Sequence, residues 1–295
     1  MGAGCRVLGA GCWVLLSATI VMAQDRPFLF TVTTMTADPA KAWVRVDYDV
    51  GAGERAFQSD TGNQPEQRVG LHATRGRFTL LGRAGLVSAG SSYQSSQAGE
   101  VLVSVFEPGA ASFNLAAGGG VQHEAGGVDV LLGHIVAGRE SDTWRLHGNL
   151  LFQKPLASDR DAVDLITTFG WARKLTSGIA LGVEGLAEDL EGFWDPNEAE
   201  GGARLLVGPS LHIAPTGRSW QFNATGGPAF HPSDTGRTSG ALRDLPPTAK
   251  RTGYAARVGI TFRLFCSDDQ NATVSPTRTV RGNPGEMFVL LSALT

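Results

Sequence analysis

The sequence predicts an all-β protein: an antiparallel transmembrane β-barrel of about twelve strands. Three observations predict it. Most of the chain alternates apolar and polar residues with a period of two, the mark of a strand with one oily and one wet face. The connections between these segments alternate in length. An export leader is followed by no apolar run near the ~20 residues that a spanning helix needs.

Residues 1–23 read as a signal peptide. Arg6 supplies the positive start, Val7 to Met22 is apolar apart from Ser17 and Thr19, and Val21-Met22-Ala23 suits cleavage before Gln24. Cys5 and Cys12 leave with this leader, so Cys266 stands alone and no disulfide framework is expected. Residues 24–40 form an N-terminal lead-in or strand extension. Phe28 to Thr36 has strand composition, but counting it would make the strand number odd, which single-chain bacterial barrels avoid.

The barrel is expected over residues 41–265, with strands near 41–51, 66–75, 77–88, 99–107, 112–123, 128–138, 141–153, 162–174, 178–188, 202–213, 218–229 and 253–265. Each has about the ~10 residues that a tilted membrane strand requires. The seventh is the clearest. Trp144, Leu146, Gly148, Leu150 and Phe152 share one face, and Arg145, His147, Asn149 and Gln153 share the other. In the third, Phe78, Leu80 and Leu86 oppose Thr79 and Arg83; in the eighth, Phe169 and Trp171 oppose Asp164 and Thr168. Leu181 and Val183 oppose Glu184 and Glu188, Leu205 and Val207 oppose Arg204 and His212, and Trp220 and Phe222 oppose Gln221 and Asn223. Two segments are less clean: Leu102 shares a face with Glu100 and Ser104, and His134 shares one with Val130, Leu132 and Val136.

Long connections are expected at Ala52 to Glu66, Gly90 to Gly99, Pro155 to Asp161, Asp189 to Gly201 and His231 to Thr252. Short turns lie near Arg75-Gly76, Glu107-Pro108-Gly109, Gly138 to Asp142, Leu175 to Gly178 and Ala214 to Ser219. The short Glu124 to Gly127 turn is the exception to the alternation. Tight turns on one side and longer loops on the other are the habit of membrane barrels, and both chain ends fall on the short-turn side.

The last strand carries the most specific local pattern. Tyr254, Val258, Ile260, Phe262 and Leu264 face one way, Arg257, Thr261 and Arg263 the other, and Phe265 ends the run. An amphipathic last strand with a terminal aromatic resembles the recognition signal of bacterial outer-membrane β-barrel proteins. The strand pattern extends this resemblance over about residues 41–265. It implies insertion in outer-membrane lipid by the barrel assembly machinery. In that family the aromatic usually ends the chain, whereas here a tail of unknown role follows at 266–295.

The expected lumen-lining residues are Arg45, Asp47, Asp49, Arg83, Arg145, His147, Asn149, Asp164, Glu184, Glu188, Arg204, His212, Asn223, Arg257 and Arg263. Phe78, Trp144, Phe152, Phe169, Trp171, Trp220, Phe222 and Phe262 are the expected membrane-facing aromatics. Interspersed charges of both signs suit a narrow pore for small polar solutes. They equally suit acids and bases that pair inside a narrow barrel, as Glu184 and Arg204 on neighbouring strands would.

Other chemistries find less support. The net charge of −3 gives no basis for nucleic acid as a partner. His231, Ser233 and Asp234 are of the residue types used by barrel-rim hydrolases, but a turn-forming loop explains them as well. The acidic stretch Glu188 to Glu200, with Phe193 and Trp194, lacks the regular spacing of a calcium loop. Gly118-Gly119-Gly120 is not followed by a helix or a Lys-Ser/Thr pair, so no nucleotide site is expected. The reading is therefore a non-enzymatic protein of the outer membrane without catalytic residues, metal or cofactor, either a pore or a structural envelope component. The rival from another class is a soluble secreted β-sandwich that binds carbohydrate or protein.

Overall fold

A computed structural model describes residues 25–35, 42–53, 65–89, 92–106, 113–124, 127–156, 163–188, 204–230 and 252–265. Twelve strands follow in order: β1 (Trp43–Gly53), β2 (Glu66–Arg75), β3 (Phe78–Ala89), β4 (Ser92–Ser104), β5 (Phe113–His123), β6 (Asp129–Glu140), β7 (Trp144–Pro155), β8 (Asp164–Lys174), β9 (Ile179–Glu188), β10 (Arg204–Ile213), β11 (Trp220–Phe230) and β12 (Thr252–Phe265). Each pairs antiparallel with its sequence neighbours, and β1 closes on β12 from Trp43↔Phe265 to Gly53↔Ala255. Closure gives each of the twelve strands a neighbour on both sides, as a sheet immersed in lipid requires.

The alternation sorts the two faces. Outward positions carry Leu71, Leu80, Val101, Val121, Leu131, Leu146, Leu150, Leu181 and Val258, all exposed. An apolar belt of this kind is stable in hydrocarbon and is not what a sandwich shows to water. Phe78, Phe152, Phe169, Trp171 and Phe262 lie exposed on it. Trp144 also faces outward, beneath the Arg139 guanidinium at 5.9 Å, and Trp220 pairs in register with Phe262. Among the described strand aromatics, Trp43 breaks this habit: it is buried on the inward face of β1.

Three expectations are corrected. The stretch from Gly90 to Gly99 is not a long loop, because β4 already starts at Ser92. Tyr93 to Gly99 has little apolar alternation, and its ladder to Gly82–Ser88 of β3 is what holds it extended. Arg204 does not pair with Glu184. The β9–β10 register sets Arg204 opposite Glu188, and their side chains meet at 2.5 Å, while Glu184 stands opposite Gly208.

The largest correction concerns the lead-in. Asp25–Met35 is neither a strand extension nor outside the barrel. It rises inside the lumen from the short-turn rim, bends at Leu29-Phe30, and returns toward that rim, where Thr34 meets Asn114 at 2.5 Å. Its apolar side chains explain the less clean strand faces. Phe30 packs on a cluster of inward residues that includes Val130, Leu132, Leu151, Ile166, Leu186 and Leu206. Val32 packs on Leu81, Leu102, Ala116 and Val136, and Phe28 on Ala172 and Ala180. Inward apolar residues are thus a core for an inserted segment.

The expected signal peptide, the acidic stretch after Glu188, the His231–Asp234 group, Cys266 and the tail to Thr295 lie outside the described residues.

Candidate pore lumen

The lumen is built in three tiers. At the short-turn mouth the Asp25 carboxylate accepts from Arg145 Nη2 (2.6 Å) and lies 3.4 Å from Arg263 Nη1, and its backbone carbonyl accepts from Arg45 Nη1 (3.0 Å). Strands β7, β12 and β1 therefore deliver three guanidiniums to one residue. Arg145 also leans on Glu140 at 3.2 Å, and Glu140 in turn meets His147 Nε2 at 3.0 Å.

At mid-height the inserted segment is held by side chains rather than by a ladder. Arg26 grips Asp49 through two hydrogen bonds (2.6 and 2.7 Å) and stands 3.7 Å from Asp47. Glu184 accepts from the backbone N–H groups of Leu29 (3.1 Å), Phe30 and Thr31 (3.0 Å). Asn149 accepts from the Val32 N–H (2.6 Å) and donates to the Val32 carbonyl (3.1 Å), taking the place of a neighbouring strand. These contacts satisfy backbone groups that would otherwise be buried unpaired.

Between mid-height and the long-loop rim, Glu100 accepts from Arg83 and from His134 Nδ1 (2.6 Å), and Glu66 accepts from Arg257 (3.0 Å) and Arg68 (2.8 Å). Arg257 also lies over the Phe30 ring at 5.4 Å.

The residues expected to line the lumen all occupy inward positions. Arg45, Asp47, Asp49, Arg145, His147, Asn149, Asp164, Glu184, Glu188, Arg204, His212, Asn223 and Arg257 are buried there, and Arg83 and Arg263 are partly exposed. The structure brings Arg45, Arg145 and Arg263 together around Asp25. It gives Arg83 to Glu100, Arg204 to Glu188, and His212 to Asn223 at 2.7 Å. Sequence reasoning missed Asp25, Arg26, Glu66, Glu100, His134 and Glu140. The signals that pointed to them were Glu100 and His134 on otherwise apolar strand faces, and a basic residue just before the strand-like Phe28–Thr36.

Besides a cavity of about 760 Å³ lined among others by Arg83, Gln97, Gln122 and Val130, two cavities lined by described residues border the inserted segment. One of about 380 Å³ opens at the mouth, and one of about 100 Å³ lies at mid-height among Arg26, Asp49, Arg83 and Arg257. Asp25 lines the first and Arg26 the second, so the step between these two residues separates them.

No family model and no curated protein matches the chain. Among solved structures, a NanC porin superposes with a TM-score of 0.50 at 8% identity, over 74% of this chain and 100% of that one. The chain has the fold of an outer-membrane β-barrel. A KdgM porin in complex with disordered oligogalacturonate gives 0.47 at 10% identity over 74% and 98% of the two chains. OmpT, an outer membrane protein of Vibrio cholerae, gives 0.36 at 10% identity over 80% and 100%. At such identities the likeness is one of architecture.

Proposed function

We propose that the protein is a non-enzymatic outer-membrane channel for small polar solutes, narrowed by its own N-terminal segment. The observation that carries this reading is the pair of charged cavities on either side of the Asp25–Arg26 step. The wall around them is closed and its outer face is apolar. Charged groups lining a constriction select solutes by charge and size. The leader at 1–23 would direct export and be removed, and the amphipathic β12 would serve the assembly machinery. Lipid of the outer membrane would cover the belt.

A structural envelope role is the second reading, favoured by the ion pairs and the inserted segment that fill much of the lumen. Solute entry into proteoliposomes separates the two. The channel reading expects swelling with small polar solutes at a rate that falls as solute size rises. Vesicles carrying heat-modifiable, folded barrels that stay as tight as protein-free ones would favour the structural role.

A further inference from the structure

The mouth holds three guanidiniums, and a carboxylate from the chain itself sits among them. Arg145 bonds Asp25 through Nη2, and Arg45 and Arg263 approach the same residue from β1 and β12. Beside them lies the 380 Å³ cavity, also lined by Lys174, Ser177, His212 and Asp142. Arg145 Nη1 and His212 Nε2, both buried at this place, have no hydrogen-bond partner among the described residues. His212 is 5% exposed. Asn223 Oδ1 accepts from its Nδ1–H, which leaves Nε2 as the ring's acceptor. Buried polar atoms without partners are costly, and such atoms beside a cavity imply something that completes them.

We propose that the short-turn mouth is a binding site for small hydroxycarboxylates, and that the Asp25 carboxylate is an internal stand-in for the solute. The solute's carboxylate takes the place of Asp25 on Arg145 and Arg263, where a guanidinium offers paired donors in a matching plane. Its hydroxyl donates to His212 Nε2. Asp142 on the cavity wall disfavours a second negative charge there, so monocarboxylates fit better than longer polyanions. Once Asp25 is displaced, Arg26 is the next residue of the inserted segment, so the same event loosens the constriction. Burial alone would raise the Asp25 carboxyl, but the Arg145 and Arg263 guanidiniums beside it hold it below its ordinary value, so the stand-in is an anion.

This inference rests on the channel reading only for its consequence, not for the binding itself. The test is calorimetry on the whole protein in detergent with L-lactate, and with propionate as the analogue lacking the hydroxyl. Lactate should bind saturably and more tightly than propionate. Asp25→Asn should tighten lactate about tenfold, the equivalent of releasing one charge-assisted hydrogen bond. His212→Gln should abolish the preference over propionate. In the wild-type chain, lactate should also speed hydrogen exchange at the Leu29, Phe30 and Thr31 amides, a readout that needs no variant. Absence of lactate binding in the wild type and in folded Asp25→Asn, or equal affinity in both, overturns the proposal. If Asp25→Asn does not fold, absent binding and unchanged amide exchange in the wild type overturn it equally. Intact lactate binding with impermeable proteoliposomes would sink the channel reading and leave this one standing.

Discussion

The guanidinium of Arg26 and the carboxylate of Asp49 face each other across the lumen through two parallel hydrogen bonds of 2.6 and 2.7 Å, both groups buried. One partner belongs to the inserted segment and the other to β1, so this pair ties the segment to the barrel wall. A charge buried with its partner is tolerated, and one left alone is not.

Replacing one partner should therefore be severe. Arg26→Gln leaves Asp49 buried without its hydrogen-bonded cation, at an expected cost of about 3–5 kcal/mol. Asp49→Asn in the same chain should recover much of that loss. Urea unfolding of the four chains in the double-mutant cycle measures the coupling; additive effects would contradict it.

Glu184 is the second anchor. Glu184→Ala removes the acceptor of three buried N–H groups, each worth about 1–3 kcal/mol when orphaned. Hydrogen exchange at Leu29, Phe30 and Thr31 should accelerate strongly while the strand ladders of β8 to β10 keep their protection. Loss of protection throughout the barrel would mean that the segment is not a separable unit.

The seat of Phe28 offers a steric test. A Cβ at Gly170 would stand 2.6 Å from the Phe28 ring, so Gly170→Ala should expel Phe28 from its contact with Ala172 and Ala180. Overpacking of this kind costs about 1–3 kcal/mol. Combining it with Phe28→Ala should relieve the clash, so the double variant should be no less stable than Phe28→Ala alone.

The fold was legible because a period of two survives in nearly every strand and because Gly, Pro and Asp punctuate the turns. It was least legible at Tyr93–Gly99, where both faces are polar and only the partner strand β3 dictates extension. The lumen residues were legible from the same alternation, but their partners were not. Register depends on where each connection lets the next strand start, so alternation alone matches Glu184 to Arg204 although Glu188 stands opposite it. The inserted segment was the hardest to foresee. Phe28, Phe30 and Val32 alternate as a strand would, and nothing local reveals that Glu184 and Asn149, more than a hundred residues away, replace the ladder.

Acid should release the mouth. The Asp25 carboxyl is depressed below its ordinary value, so its hold on the segment is complete above about pH 4 and is lost as the pH falls through the depressed value. Arg45, Arg145, Arg263, Lys174 and His212 face it as cations or potential cations, and Asp142 as a fellow carboxylate. Exchange at the Leu29 to Thr31 amides, followed from neutral pH into acid, should show a loosening step that Asp25→Asn lacks. An identical step in that variant would assign it to another carboxylate.

The central claim is that a conducting barrel is narrowed by residues 25–35. Single-channel recording in planar bilayers tests it most directly, with the wild-type chain beside one lacking that segment. The account predicts small, unsteady conductance in the wild type and a larger, steady one after deletion. Equal conductance in the two would contradict the narrowing, and silence in both, from barrels shown to be folded by heat-modifiable migration, would contradict the channel itself.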